Sequence, residues 1–424
     1  MPSSNKHSVM APRRKRSLTT KGRRTRQALL DSARLVFEEE GYFGASVSEI
    51  GRRCGASQGT FYQYFRNKDH IFRELIDSAL FAFWDKADGI ERHSSSFSQA
   101  FRAGLQVLLE HCRDYAALHR VLNEFELIET VTISYYDSIA RYYRGFFRRA
   151  ARQGHVKLLD PNLIAYSLLG AAMFLQMMWV PDSRSFSMGQ MVDYLADLAE
   201  NGISADRSWQ AAMDIEAPVA RENSEAQLHW EEMDTSAKRT RQAIFQAAEQ
   251  VLGEYGYSRA GIAEITRRAG VAQGTFYVHF KSKEELMNGV VRFLSHELRR
   301  ELSSVTADFK DRRDREIQGM LAFFNFLAHH SQIYRIVSES EVIVPESAEY
   351  YYGKLASGYA ASLSQGVKEG EIRPLPLDFL VAALMGINHM IGLRWLIWSS
   401  AARPEIPRQV LADAVEFVLY GLRV

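Results

Sequence analysis

Cysteine is nearly missing from this chain: Cys54 and Cys112 are the two in 424 residues. They stand in unrelated contexts, so neither a disulfide framework nor a cysteine-based metal site is expected, and a reducing cytoplasm fits. The short patterns that carry catalysis are missing too. The sequence holds no Gly-rich phosphate loop, no Walker motif, no His-Glu-x-x-His pair and no nucleophile elbow. It therefore asks for no cofactor, no metal and no enzymatic activity. Long apolar runs are also scarce. The longest, Ala165–Val180, contains Tyr166, Ser167 and Gln176; it is short for a membrane span and reads as a buried helix. The basic N-terminus is not followed by an apolar stretch, so no secretory signal and no membrane partner are expected. Strand-type alternation is rare, and the prolines and glycines punctuate segments several helical turns long, which predicts an all-α fold.

Net charge is close to absent as well, at +1, and so does not announce a polyanionic partner. Local charge does. Residues 1–26 carry Lys6, Arg13, Arg14, Lys15, Arg16, Lys21, Arg23, Arg24 and Arg26 without one Asp or Glu, which reads as a basic, disordered arm over 1–23 that adds a salt-dependent term to nucleic-acid binding. With 46% apolar residues, the rest of the chain can bury sizeable cores, and its length favours more than one domain.

The dominant feature is an internal repeat. Arg24-Thr25-Arg26-Gln27-Ala28 returns as Arg239-Thr240-Arg241-Gln242-Ala243, and Gln58-Gly59-Thr60-Phe61-Tyr62 returns as Gln273-Gly274-Thr275-Phe276-Tyr277. One constant offset, without a gap, makes about half the positions between Arg24 and Lys68 identical to their counterparts. The repeat continues more faintly through Arg120 and Glu124 (Arg335 and Glu339) and, after a one-residue shift, Gly154 and Gly170 (Gly370 and Gly386). Solenoid repeats run only about 20–50 residues, so a period this long means duplication of a whole domain. The expected division is an arm at 1–23, a first N-terminal domain at 24–70, a first C-terminal helical domain at 71–203 and an acidic linker at 204–235. A second N-terminal domain at 236–285 and a second C-terminal domain at 286–424 follow. Trp209 and Trp230 in the linker could anchor it to a domain surface.

Each N-terminal domain reads as a three-helix unit. In the first, helices are predicted near 24–40, 46–53 and 57–64. Gly41 tolerates a left-handed stop. Ser46 is the expected N-cap of the second helix, with Glu49 completing a capping box, and Ser57 caps the third. Ile50 and Cys54 share a face with Val47, and Gly55 makes the tight turn. On the third helix Phe61 and Phe65 point to one side, while Gly59, Tyr62 and Gln63 point broadly to the other. A short helix with an aromatic inner face and a polar outer face containing Gly suits docking in a DNA major groove. Lys68, at the start of the next helix, is placed to reach a phosphate. A plain helical hairpin would also show caps and buried Phe. The outer residues, however, recur in the second copy, and retention of the fold alone explains that less well.

The stretches Ile50–Lys68 (IGRRCGASQGTFYQYFRNK) and Ile265–Lys283 (ITRRAGVAQGTFYVHFKSK) resemble the helix-turn-helix signature of TetR/AcrR-type regulators. The resemblance covers about 50 residues of each half. It implies two fused TetR-like units, each with a helix-turn-helix domain and a C-terminal ligand-binding and dimerisation-type helical domain, arranged as a pseudo-dimer that works as a monomer or dimerises further. It implies double-stranded DNA as partner, with contacts from Ser46, Ser57, Gln58, Gly59, Thr60, Tyr62, Gln63, Tyr64 and Lys68. The second copy supplies Ala272, Gln273, Gly274, Thr275, Tyr277, Val278, His279 and Lys283. Gly261 and Ala263 replace Ser46 and Ser48, so the second motif is expected to bind more weakly and the operator to be an imperfect palindrome. The implied function is a repressor released by a small lipophilic effector, a fatty or other lipophilic acid or its coenzyme A thioester. A ligand-binding or scaffold protein with vestigial motifs is the alternative, and an enzyme a more remote one.

The C-terminal halves are rich in large apolar residues such as Phe146, Phe147, Met173, Phe174, Met385 and Met390, most of them ordinary core. Three polar residues inside apolar runs, Asn388, His389 and Arg394, are candidates for orienting an effector; the ordinary reading is a satisfied core histidine and a solvated arginine. Glu124, Glu126, Glu339 and Glu341 read as a solvated helix face.

Overall fold

The computed structural model describes residues 18–124, 131–177, 186–211, 236–399, 401 and 404–424. Among these residues the chain is helical, apart from loops and one isolated bridge between Ser204 and Ile372. The first half runs α1 (Thr20–Gly44), α2 (Val47–Arg53), α3 (Gln58–Tyr64), α4 (Lys68–Ala87), a single turn α5 (Ile90–His93), α6 (Phe97–Asp114), α7 (Ala116–Leu122), α8 (Ile133–Arg152), α9 (Pro161–Met177) and α10 (Met188–Asn201). The second half repeats the plan as α11 (Ser236–Arg259), α12 (Ile262–Arg268), α13 (Gln273–His279), α14 (Lys283–Thr306), α15 (Arg312–His329), α16 (Ser331–Ile343), α17 (Pro345–Lys368), α18 (Leu377–Gly392) and α19 (Arg408–Tyr420). The expected basic arm ends sooner than position 23. Thr19 caps α1 by accepting from the Gly22 amide at 3.1 Å, so Thr20 to Arg23 form the first helical turn. The arm's other basic residues, Lys6 to Arg16, lie outside the described residues, as does Trp230. Trp209 packs under the Arg313 guanidinium, 4.6 Å from its ring centre.

The two halves meet in a seam whose contacts are reciprocal. α9 crosses α18 where Gly170 faces Gly386. A Cβ on either glycine would lie 2.1 Å from the other's carbonyl oxygen, so only glycine permits this approach. Near the ends of α10 and α19 the backbone bonds exchange in matched pairs. The Ile203 amide donates to Val418 and the Leu422 amide to Ala199, at 2.9 and 2.8 Å. The Ser204 amide donates to Leu419 and the Arg423 amide to Glu200, both at 2.9 Å. The Lys157 amide donates to Leu422 and the Arg373 amide to Ile203, both at 2.8 Å. Lys157 also pairs with Glu416, and Arg373 with Asp197. Each of these six backbone bonds and two ion pairs is matched by one between the corresponding residues with the halves exchanged. Leu377–Ile397 is long and apolar enough to span a membrane, but 78% of its most apolar stretch is buried within the protein, as expected for a helix at such a seam.

Candidate nucleic-acid interface and effector cavity

The N-terminal domains leave most of the expected third-helix residues exposed. Ser46 accepts from the Glu49 amide and Ser57 from the Thr60 amide, both at 3.1 Å, and so start α2 and α3. Phe61 and Phe65 are buried, while Gln58, Gly59, Tyr62 and Gln63 are exposed and Thr60 and Tyr64 half-buried. The burial pattern of α13 is the same: Phe276 and Phe280 are inside, Ala272, Gln273, Gly274, Tyr277 and Val278 are exposed, and Thr275 and His279 lie between. Tyr62 and Tyr277 keep 57% and 55% of their surface open, unusual for rings with no packing role on that side. The caps differ between copies. Neither Gly261 before α12 nor Ala272 before α13 offers a side-chain cap, so the second motif loses two of the hydroxyls that anchor the first.

Three expectations fail here. Glu49 does not close a capping box. Its carboxylate turns to the Arg52 and Arg53 guanidiniums at 2.6–2.8 Å, which hold it down at about 2, because two charged donors outcompete one amide. Glu264 does the same with Arg267 and Arg268. Lys68 and Lys283 do not stand free for a phosphate. The Lys68 ammonium donates to the carbonyls of Tyr42 (2.7 Å) and Ala45 (3.0 Å) and lies 4.6 Å from the Tyr42 ring centre. Lys283 repeats this with Tyr257 (2.7 Å) and Ala260 (2.9 Å). Burial lowers both ammonium pKa values. The pair ties α4 and α14 to the ends of α1 and α11. Third, Glu124, Glu339 and Glu341 are buried and not solvated, while Glu126 lies outside the described residues. Glu124 accepts from the amides of Tyr42 and Phe43, and Glu339 from that of Tyr257 at 2.9 Å. These carboxylates meet the chain where Gly41 and Gly256 adopt φ of 70° and 72°, and so fasten each N-terminal domain to the helices behind it.

The second half also holds a cavity of about 510 Å³ between α14, α15, α17 and α18, with Phe174 of α9 in its wall. Asn388 and His389 are among its lining residues. Burial pushes the His389 imidazole down to about 3, which favours its neutral form. Arg394 is not part of the lining; its guanidinium lies 5.6 Å from both the Tyr166 and Trp395 ring centres. Leu298, Leu302, Met320 and Leu355 supply apolar wall, and Arg299, Arg312, Arg315 and Glu316 supply charge.

The sequence profile described as "Bacterial regulatory proteins, tetR family" matches twice, over 29–75 and 244–290. The chain carries two TetR-family DNA-binding domains in tandem. The matched segments are the two domains whose outer faces are described above. Among curated relatives, the HTH-type transcriptional activator FasR of Mycolicibacterium smegmatis is 36% identical over 97 residues, covering 23% of this chain and 44% of its own. The A-factor receptor protein of Streptomyces griseus is 26% identical over 178 residues, 41% of this chain and 60% of its own. The chain thus spans about half the length of these relatives. Among solved structures, FadR from Bacillus subtilis in complex with stearoyl-CoA is 19% identical and covers 41% of this chain and 96% of its own, with a TM-score of 0.36.

The TetR-type signature is densest in the helix-turn-helix segments, so sequence reasoning reached those residues first. It missed Arg312 and Glu316, which stand in a charged run (Lys310 to Glu316) that reads as a solvated helix start. Setting that run against Phe97 and Phe101 of the first half was the available signal.

Proposed function

We propose that this chain is a DNA-binding transcriptional regulator, a repressor in which α3 and α13 dock in successive major grooves of one imperfectly palindromic operator. The observation that carries the reading is the pair of matching outer faces, Gln58-Gly59-Thr60-Tyr62 and Gln273-Gly274-Thr275-Tyr277, joined through a reciprocal seam within one chain. Dimeric helix-turn-helix proteins place their recognition helices about 34–36 Å apart, one DNA turn, and a two-fold relation between halves is what such spacing needs. Glycine at position 59 lets backbone approach the groove, and the exposed tyrosines offer hydroxyls to phosphate or base edges. A small lipophilic acid or its coenzyme A thioester, seated among the C-terminal helices, favours a conformation that no longer fits the groove spacing and releases the DNA. Such a protein works in the cytoplasm, alone or as a further dimer, and needs no catalysis.

The test is a shift assay with DNA upstream of the protein's own gene. A single complex with one chain per operator, abolished by Tyr62→Ala together with Tyr277→Ala, is expected. No shift at low salt with any upstream fragment would refute the reading. The uncapped α12 and α13 favour a second reading, in which the second motif is vestigial; a footprint confined to one half-site would support it.

A further inference from the structure

The two C-terminal halves share one plan but differ at positions that line the cavity of the second. The helix caps fix the correspondence: Ser96 and Asp311 cap α6 and α15, and Gly154 and Gly370 follow α8 and α17. In the first half Phe97, Phe101 and Phe146 stack nearly parallel, with centres 5.4–6.2 Å apart. Tyr142 packs edge-on against Phe83 and Trp84, both at 6.1 Å. The counterparts of Phe97, Phe101, Tyr142 and Phe146 are Arg312, Glu316, Gly358 and Ser362, and all four line the 510 Å³ cavity. A Cβ on Gly358 would meet nothing within 4 Å. The room that the first half fills with rings is open in the second.

The replacement is chemical as well as steric. Arg312 is 4% exposed, and its stem lies against Gly366. Its Nη2 donates to Glu316 at 2.7 Å, while its Nε and Nη1 have no partner. The other Glu316 oxygen accepts from the Tyr359 hydroxyl. Buried donors on a charged group are costly to leave unpaired. Across the cavity Asn388 Oδ1 and the Tyr351 hydroxyl are also buried without a partner. Arg299, Arg315 and Lys354 add positive charge to the wall, against Glu316 alone. An apolar chamber of this size with spare guanidinium donors matches a molecule that is apolar along its body and carries a carboxylate at one end.

We propose that the second half alone holds such a ligand, one lipophilic carboxylate per chain with its head on Arg312, and that the aromatic stack closes the corresponding place in the first half. This rests on reading the C-terminal halves as the effector-binding part. The full chain is titrated with dodecanoate, 1-dodecanol and dodecanoyl coenzyme A, by calorimetry and by native mass spectrometry. Dodecanoate should bind once per chain, and dodecanol at least about ten-fold more weakly, since a charge-assisted hydrogen bond is worth about 1.5–3 kcal/mol. Gly358→Tyr with Ser362→Phe, which copies the first half, should abolish binding. Arg312→Phe with Glu316→Phe should do so too while melting no lower than the parent, because an apolar pair of similar volume replaces a buried ion pair. Two equivalents per chain, dodecanol bound as tightly as dodecanoate, binding of the thioester alone, or binding retained in Gly358→Tyr/Ser362→Phe would each overturn the proposal. Operator binding measured beside it separates the two readings. A chain that binds one dodecanoate but no DNA refutes the regulator and leaves the ligand site standing; a chain that shifts DNA and binds no dodecanoate refutes the site alone.

Discussion

Gly170→Ala tests whether the seam between the halves sets the distance between the DNA-reading faces. The added methyl would sit 2.1 Å from the Gly386 carbonyl oxygen and 2.7 Å from the Met390 Cβ, where ordinary contact begins at 3.4 Å. Backbone cannot swing aside as a side chain can, so α9 and α18 must part by more than about 1 Å. Overpacking of this kind costs about 1–3 kcal/mol, a change of roughly 5- to 150-fold in the folding equilibrium. Gly386→Ala should cost the same, because the contact is reciprocal. The double variant should cost less than the two together, since one opening of the gap accommodates both methyls. Urea unfolding followed by circular dichroism measures the stability. Affinity for a full operator should fall while affinity for an isolated half-site stays as it was. An unchanged unfolding midpoint in either single variant would refute the packing argument, and equal losses on full and half-sites would refute the link between seam and spacing.

Other consequences can be measured separately. Tyr62→Ala should reduce operator affinity more than Tyr277→Ala, because α12 and α13 lack the hydroxyl caps of the first motif; fluorescence anisotropy with labelled DNA compares them. Gln63→Ala should relax preference at one position of one half-site only, since Val278 stands opposite it; selection from random DNA would show it. Lys68→Met should lower stability by about 1–3 kcal/mol through two orphaned carbonyls and leave the salt dependence of DNA binding unchanged; a shallower salt slope would show the ammonium on a phosphate. Glu341 is buried against the Tyr352 hydroxyl, and burial raises it to about 7. Its neutral form is favoured in the fold, so its contribution is fully present below the ordinary carboxyl range and is lost as pH rises through about 7. Glu341→Gln should therefore gain stability relative to the parent between pH 4.5 and 7, read from paired urea curves.

What was legible in the sequence was what one helix decides by itself. The inward Phe61 and Phe65 and the outward Tyr62 follow from helical geometry, and the Ser46 and Ser57 caps follow from local hydrogen bonding. Groups whose partners arrive from elsewhere in the fold were not legible. Lys68 looked like a surface cation because its stem is long enough to point either way, and only the ends of α1 turn it inward. Glu124 and Glu339 looked solvated because the amides they satisfy lie far back along the chain. Arg394 reads in sequence as a candidate ligand-facing charge, but its guanidinium lies over the Tyr166 and Trp395 rings. Asn388 and His389 do face the cavity. The cavity itself was invisible in either copy alone, because it arises from what stands at 97, 101, 142 and 146 and does not at 312, 316, 358 and 362.

The seam's partners are joined by the polypeptide itself, and mass action therefore has no hold on it. In a protein assembled from two separate chains, dilution would part α9 from α18, and the number of paired molecules would fall with the square of the free subunit concentration. Here the pairing survives at a few copies per cell, and stays one-to-one whatever the expression level. The two halves can never be exchanged for two identical ones. A change that would strike both sides of a symmetric dimer at once reaches only one side of this molecule, so the first half can keep its aromatic stack while the second stays open.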